Sequence, residues 1–170
     1  RKKFIKKELE KISKKRNFVV EFNNKLLEEV TNIVEQPNIL ICKFDERFLS
    51  IPKEILIITM QHHQKYFPTF DKNGKISNEF LVVANNKDIA GYIKIGNERV
   101  VEARLTDAKY FWEKDKSQNL VKQVSKLKTI NYFKGLGSYF DKIQRMRKLG
   151  GMISDELLIS KDQVELSASI

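Results

Sequence analysis

Both histidines of the chain stand side by side in "TMQHHQKYFPTFD" (residues 59–71) as His62 and His63, followed by Lys65, Tyr66 and Phe67. Such residues serve three kinds of chemistry: metal ligation, proton transfer and contact with nucleic acid. Zinc sites on helices want histidines four apart, so that both face the ion. Adjacent histidines diverge by about 100° on a helix and by about 180° on a strand. No cysteine and no carboxylate cluster accompanies them, and no partner constellation for general acid–base work is visible. The pair is therefore expected to be scaffold, one ring capping a helix end while the other packs or hydrogen-bonds. Lys65, Tyr66 and Phe67 suit a phosphate-contact and stacking surface for RNA. Aromatics on an alternating strand suit a core better still.

The other candidates are basic. Arg99 and Arg104 sit in "GNERVVEARLTDAKYFW", where charges recur at helical pair spacing. That pattern fits a solvated, salt-laced helix face, or a contact with a phosphate or a partner. Lys142, Arg145, Arg147 and Lys148 form the strongest basic cluster outside the N-terminus. It fits a solvated face or an RNA contact. "KGLGS" places two glycines and a lysine before a helix, but a P-loop needs four residues between its first glycine and Gly-Lys-Ser. It reads as a tight connection. One cysteine, Cys42, excludes an internal disulfide and any multi-cysteine metal site, and its apolar setting "NILICKF" marks a small buried hydrophobe. Neither a catalytic residue nor a metal site is expected.

The elements that must position these residues are mixed. The chain has 170 residues, 41% hydrophobic with eleven Phe, enough for a substantial core. The net charge is +10, but the first sixteen residues carry nine Lys or Arg against two Glu, so the total is a weak argument for a polyanionic partner. No apolar run approaches a membrane span, and no membrane partner is expected. The chain lacks an initiator Met and a signal-peptide order, and ends inside a helix-like pattern. It reads as a section of a longer, cytoplasmic protein.

The opening is an amphipathic helix through Phe4, Ile5, Leu9 and Ile12, broken at Asn17. "NFVVEF" has strand character, "NKLLEEVTNIVEQP" a helical period up to Pro37, and "NILICKF" that of a buried strand. A helix starts around Ser50–Pro52 and runs through the histidines. "KYFPTF" and "NEFLVVAN" flank an Asn-Gly turn as a β-hairpin. A long helix carries the stripe Val101, Leu105, Ala108 and Trp112. "NLVKQVSKLKTI" reads as another amphipathic helix. Ser138 and Asp141 form a capping box for a basic helix stopped or kinked at Gly150–Gly151. The fold class is α+β, with strands and a hairpin in the first half and amphipathic helices in the second.

"FDERFLSIPKEILIITMQHHQKYFPTFDKNGK", "GNERVVEARLTDAKYFWEKD", "KLKTI" and "LGSYFDKIQRM" together resemble the β subunit of bacterial heterotetrameric glycyl-tRNA synthetase, over nearly the whole chain. His63, not His62, matches the family's histidine. The resemblance implies a part of an α₂β₂ enzyme that joins glycine to tRNA(Gly) through a glycyl-adenylate. The α subunit would bind glycine and use ATP with Mg; the β subunit would supply tRNA recognition. Residues 1–89 would be a mixed α/β part resembling the B3/B4-type region. Residues 90–170 would be a helical part leading towards an HD-like domain. No cofactor is implied for this section itself. Its expected partners are the α subunit and tRNA(Gly), with Lys65, Arg104, Lys142, Arg145 and Arg147 as candidate tRNA contacts. A purely architectural segment, or a hydrolase in its own right, are the alternatives.

Overall fold

A computed structural model describes residues 1–169. The chain forms two compact units, Arg1–Trp112 and Glu113–Ile170. The division expected after residue 89 falls after Trp112, because Val101 and Leu105 belong to the core of the first unit.

From the start of the chain the order is α1 (Lys2–Arg16), β1 (Val19–Val20), α2 (Asn24–Ile33), β2 (Asn38–Lys43), α3 (Lys53–Ile58), β3 (Phe67–Phe70), β4 (Ile76–Ala84) and α4 (Tyr92–Lys116), whose residues up to Trp112 belong to the first unit. The strands make one antiparallel sheet in the order β1-β3-β4-β2. Both faces are covered, which is why "NILICK" and "FLVV" read as continuous apolar runs and not as alternation. Side chains still alternate by face. Phe67, Leu81, Ile39 and Ile41 pack with Ile5, Leu9, Leu26, Leu27 and Val30 of α1 and α2. Phe70, Phe80, Val82, Leu40 and Cys42 pack on the other face with Leu56 and Met60, and with Val101 and Leu105 of α4. Cys42 is a free, buried thiol there, and burial pushes its pKa up to about 12.

Local chemistry sets the ends. Asn17 takes a left-handed conformation, φ 59°, and stops α1. Asn23 caps α2 through its side chain. α2 ends at Ile33 and does not run to Pro37: Val34 is already extended, and Asn85 Oδ1 accepts the backbone N–H groups of Glu35 and Gln36. Before a proline the chain leaves the helical region. Ser50 does not cap α3. It closes a 3₁₀ turn, Glu46–Ser50, and its hydroxyl donates to the Arg47 carbonyl. The hairpin turn also differs from a two-residue Asn-Gly turn. Only Gly74 has positive φ, and Asp71 N–H donates to Lys75 O across a three-residue loop. Asp71 Oδ1 accepts from the N–H groups of Asn73 and Lys75, which holds that wider turn.

α4 begins on Asp88, whose carboxylate accepts the N–H groups of Ile93 and Lys94. Glu98 accepts from the Lys43 N–H at 2.8 Å, and Glu102 holds Arg47 at 3.0 Å. The apolar stripe is buried only at Val101 and Leu105; Trp112 stays 36% exposed.

Glu79 on β4 ties α1 to the sheet, receiving Lys43 at 3.1 Å and Arg16. Burial raises its pKa, but the hydrogen bonds from Lys43 and Arg16 outweigh burial and hold it below the usual carboxylate range. A depressed carboxylate pKa contributes stability at neutral pH, and that contribution disappears as pH falls from the ordinary carboxylate value through the folded one. Glu79→Gln should therefore destabilise by about 1 kcal/mol at pH 7, with a smaller difference at pH 3.5. Melting curves at the two pH values check this. An equal gap at both would show that packing, not charge, holds the side chain.

The second unit comprises α5 (Leu120–Gln123), a 3₁₀ stretch Val124–Thr129, β5 (Asn131–Phe133), β6 (Gly137–Ser138), α6 (Tyr139–Leu157) and α7 (Lys161–Ser167). The amphipathic helix expected over 119–130 is only one α turn followed by 3₁₀. Val121, Val124, Leu127 and Ile130 recur every three residues, the 3₁₀ period, and of these Val124 and Leu127 are half-buried. "KGLGS" is the turn and second strand of a small antiparallel ribbon, so strands are not confined to the first half. The Ser138–Asp141 capping box is present. α6 neither stops nor breaks at Gly150–Gly151. It runs on to Leu157, and α7 packs against the glycines.

Candidate nucleic-acid interface

The five candidate contacts divide between the units, Lys65 and Arg104 in the first and Lys142, Arg145 and Arg147 in the second. Lys65 lies in the first unit, just past the histidines. Thr59–His63 continue α3 as a π-helical turn, and Lys65 takes a left-handed backbone, φ 60°. Its ammonium sits 2.8 Å from the Glu29 carboxylate of α2. The Lys65 hydrogen bond is the main cause that holds Glu29 below the usual carboxylate value, with Lys25 and His62 adding positive charge. These groups, with Asn23 and Gln61, line a surface cleft of about 260 Å³.

His62 and His63 are both exposed, edge to face with ring centroids 5.2 Å apart. Neither ring makes a hydrogen bond among the described residues, so the expected cap and packing roles are not seen. Tyr66 and Phe67 are buried and unavailable for stacking on a base. Tyr66 stacks on Phe80 at 5.3 Å, its hydroxyl donates to Asn97 Oδ1, and burial raises its pKa. Arg99 and Arg104 are exposed on α4 and make no ion pair among the described residues.

In the second unit a cationic surface forms around the ribbon and the start of α6. The β5–β6 ribbon brings Tyr132 beside Tyr139, the first residue of α6, with ring centroids 5.2 Å apart and nearly perpendicular. Lys142 lies one turn along and sets its ammonium 4.4 Å from the Tyr132 centroid and 5.8 Å from that of Tyr139. Lys128 stands 4.8 Å over Phe140. Cation–π contact orders these long side chains without removing their charge. Asp141 spends its carboxylate on the cap. The Ser138 N–H, then its hydroxyl, hold the Asp141 pKa low, with Arg145 adding. Arg145 projects exposed from the next turn.

Arg147 is placed differently. Two residues after Arg145, it points about 200° away around the helix, against α7. Its Nη2 donates to Glu165 at 2.9 Å, and its Nε is buried without a partner. The spacing in the sequence groups Arg145 and Arg147, and the helix separates them. Tyr132, Tyr139 and Lys128 were not among the candidates. The legible signal was the pair of glycines, Gly135 and Gly137, both at positive φ, which fold the ribbon that joins the tyrosines. Among the described residues no group of three or more His, Cys, Asp or Glu is placed to hold a metal ion, and no helix is long and apolar enough to cross a membrane.

Known proteins resemble the chain along its length. The family model for the glycyl-tRNA synthetase beta subunit matches residues 1–170. A glycine–tRNA ligase beta subunit from Thermodesulfovibrio yellowstonii is 41% identical over 165 residues, covering 96% of this chain and 24% of the relative. Those from Pasteurella multocida and an Acidovorax species are 44% and 43% identical over 148 and 140 residues, covering 21% and 19% of their lengths. The chain thus spans a quarter or less of these relatives. It belongs to the glycyl-tRNA synthetase beta subunit family.

Proposed function

We propose that this chain is a section of the β subunit of glycine–tRNA ligase that supports docking of tRNA(Gly) and assembly with an α subunit, without supplying a catalytic residue. On this reading the ATP- and Mg-dependent formation of glycyl-adenylate belongs to the α subunit of a cytoplasmic α₂β₂ enzyme. The first unit then serves as a B3/B4-type body. The observation that carries the docking role is the open face of α6, where Lys142 and Arg145 stand beside exposed aromatics with Lys128 nearby. Lysine and arginine bind phosphate oxygens and release counterions, so such binding weakens with salt. Lys65 and Arg104 are candidates in the first unit, and Arg147 contributes only if Glu165 lets go.

The test is tRNA(Gly) binding by the complete enzyme carrying Lys142→Ala and Arg145→Ala together. Affinity should fall about tenfold or more at physiological salt, and the salt slope should shrink by about two. The melting temperature should hold. Unaltered affinity and slope would remove the assignment. Arg147→Ala should behave in the opposite way, lowering the melting temperature by leaving Glu165 without its partner. A second reading, an architectural segment without RNA contact, is favoured by the apolar surface of α6.

A further inference from the structure

Side chains alternate along β5. Tyr132 takes the face of the ribbon where Tyr139 and Lys142 meet it, and Asn131 and Phe133 take the other. Phe133 is 67% exposed, the most exposed aromatic ring of the second unit. Its cross-strand partner is Gly137, which brings no side chain to cover the ring. The Leu136 N–H donates to the Phe133 carbonyl at 3.0 Å and closes a turn with Gly135 at φ 83°, the glycine position of a type II turn. A Cβ on Gly135 would meet nothing within 4 Å. The outcome is an open hollow of about 350 Å³ lined by Asn131, Phe133, Lys134, Gly135 and Gly137. Asp141 stands behind Gly137, but its carboxylate is spent on the helix cap.

This lining matches an unpaired nucleotide. A flat aromatic face takes a base, an amide with both donors and an acceptor reads a base edge, and an ammonium meets a phosphate. An apolar side chain from a protein partner would instead cover Asn131 and Lys134 without giving them hydrogen bonds, which is costly. We infer that the ribbon tip holds an unpaired nucleotide of tRNA, with its base stacked on Phe133 beside Asn131 and Lys134. The inference rests on the docking reading and adds a contact of another kind. Lys142 and Arg145 hold phosphates, and that attraction weakens with salt. Stacking on a neutral ring does not release counterions.

The complete enzyme carrying Phe133→Ala is titrated with tRNA(Gly) at low and at physiological salt. Affinity should fall about fivefold or more at both, with the salt slope of the parent. Phe133→Leu keeps apolar bulk without the ring and should lose as much. Phe133→Tyr and Phe133→Trp keep a stacking face and should bind as the parent does. Parental affinity in Phe133→Ala overturns the inference. Parental affinity in Phe133→Leu overturns it too, because plain packing would then be enough. A loss that comes with release of the α subunit or with a lower melting temperature assigns the ring to a protein contact, with the same consequence. The docking reading fails separately. Unaltered binding in the Lys142→Ala, Arg145→Ala enzyme removes the phosphate contacts, whereas a shrunken salt slope there with parental affinity in Phe133→Ala removes the stack alone.

Discussion

Phe80→Ala lowers the stability of the first unit by about 3–5 kcal/mol. Phe80 is fully buried on β4, opposite Cys42 of β2 and Pro68 of β3. Its ring stacks between Tyr66 at 5.3 Å and Phe44 at 6.3 Å. Two backbones hydrogen-bonded on either side keep the strands apart, so the space left by the ring cannot close. The loss then includes the cavity as well as the transfer of the ring from water. Tyr66 loses its stacking surface while its hydroxyl stays bound to Asn97, which strains the link from β3 to α4. Denaturant unfolding should show a lower midpoint with an unchanged slope. Val19→Ala, on a half-exposed edge residue, should move the midpoint by about 0.5 kcal/mol or less. A similarly small effect for Phe80→Ala would mean that the aromatic stack is not the centre of this unit.

What was legible in the sequence was periodicity and capping. The turn around Gly74, the helix ending at Asn17 and the Ser138–Asp141 box rest on interactions within a few residues, while "NILICK" was marked by its apolar run although its partner strand β4 is distant in sequence. The misread parts depend on contacts that a window does not contain. The π turn at Thr59–His63 leads into Lys65, whose left-handed backbone is held by Glu29 from another helix. The grouping of Arg145 with Arg147, by contrast, fails on local geometry, since two residues turn about 200° around a helix; Glu165 of α7 then takes up Arg147. The three-residue period of Val121, Val124 and Leu127 was readable, but a helical period of 3.6 was imposed on it. Family membership came from long exact motifs, not from chemistry. Composition and spacing alone left only a basic α+β chain.

The glycine pair of α6 separates packing from charge in the second unit. A Cβ on Gly150 would lie 2.9 Å from Val164 Cγ1, and a β-branched side chain in a helix has little freedom to turn away. Gly150→Leu should therefore push α7 off α6, costing about 1–3 kcal/mol despite the gain of about 0.5–1 kcal/mol that a helix makes on losing a glycine. Gly151 is the contrast. Its Cβ would meet Lys161 Cε at 3.0 Å and Glu165 Oε1 at 3.3 Å, both at the ends of flexible side chains that can step aside. Gly151→Ala should stay within about 0.5 kcal/mol of the parent, the helix gain offsetting a loosened Glu165. Hydrogen exchange of the α7 amides in the complete polypeptide reads the difference. Fast exchange for Gly150→Leu with near-parental exchange for Gly151→Ala fits close helix packing, and parental exchange in both would show that α7 does not lean on the glycines. Lys142 and Arg145 lie on the other side of α6, so tRNA affinity should stay level in Gly150→Leu while α7 loosens. A parallel loss of affinity would move the RNA contact from the open face of α6 to its pairing with α7.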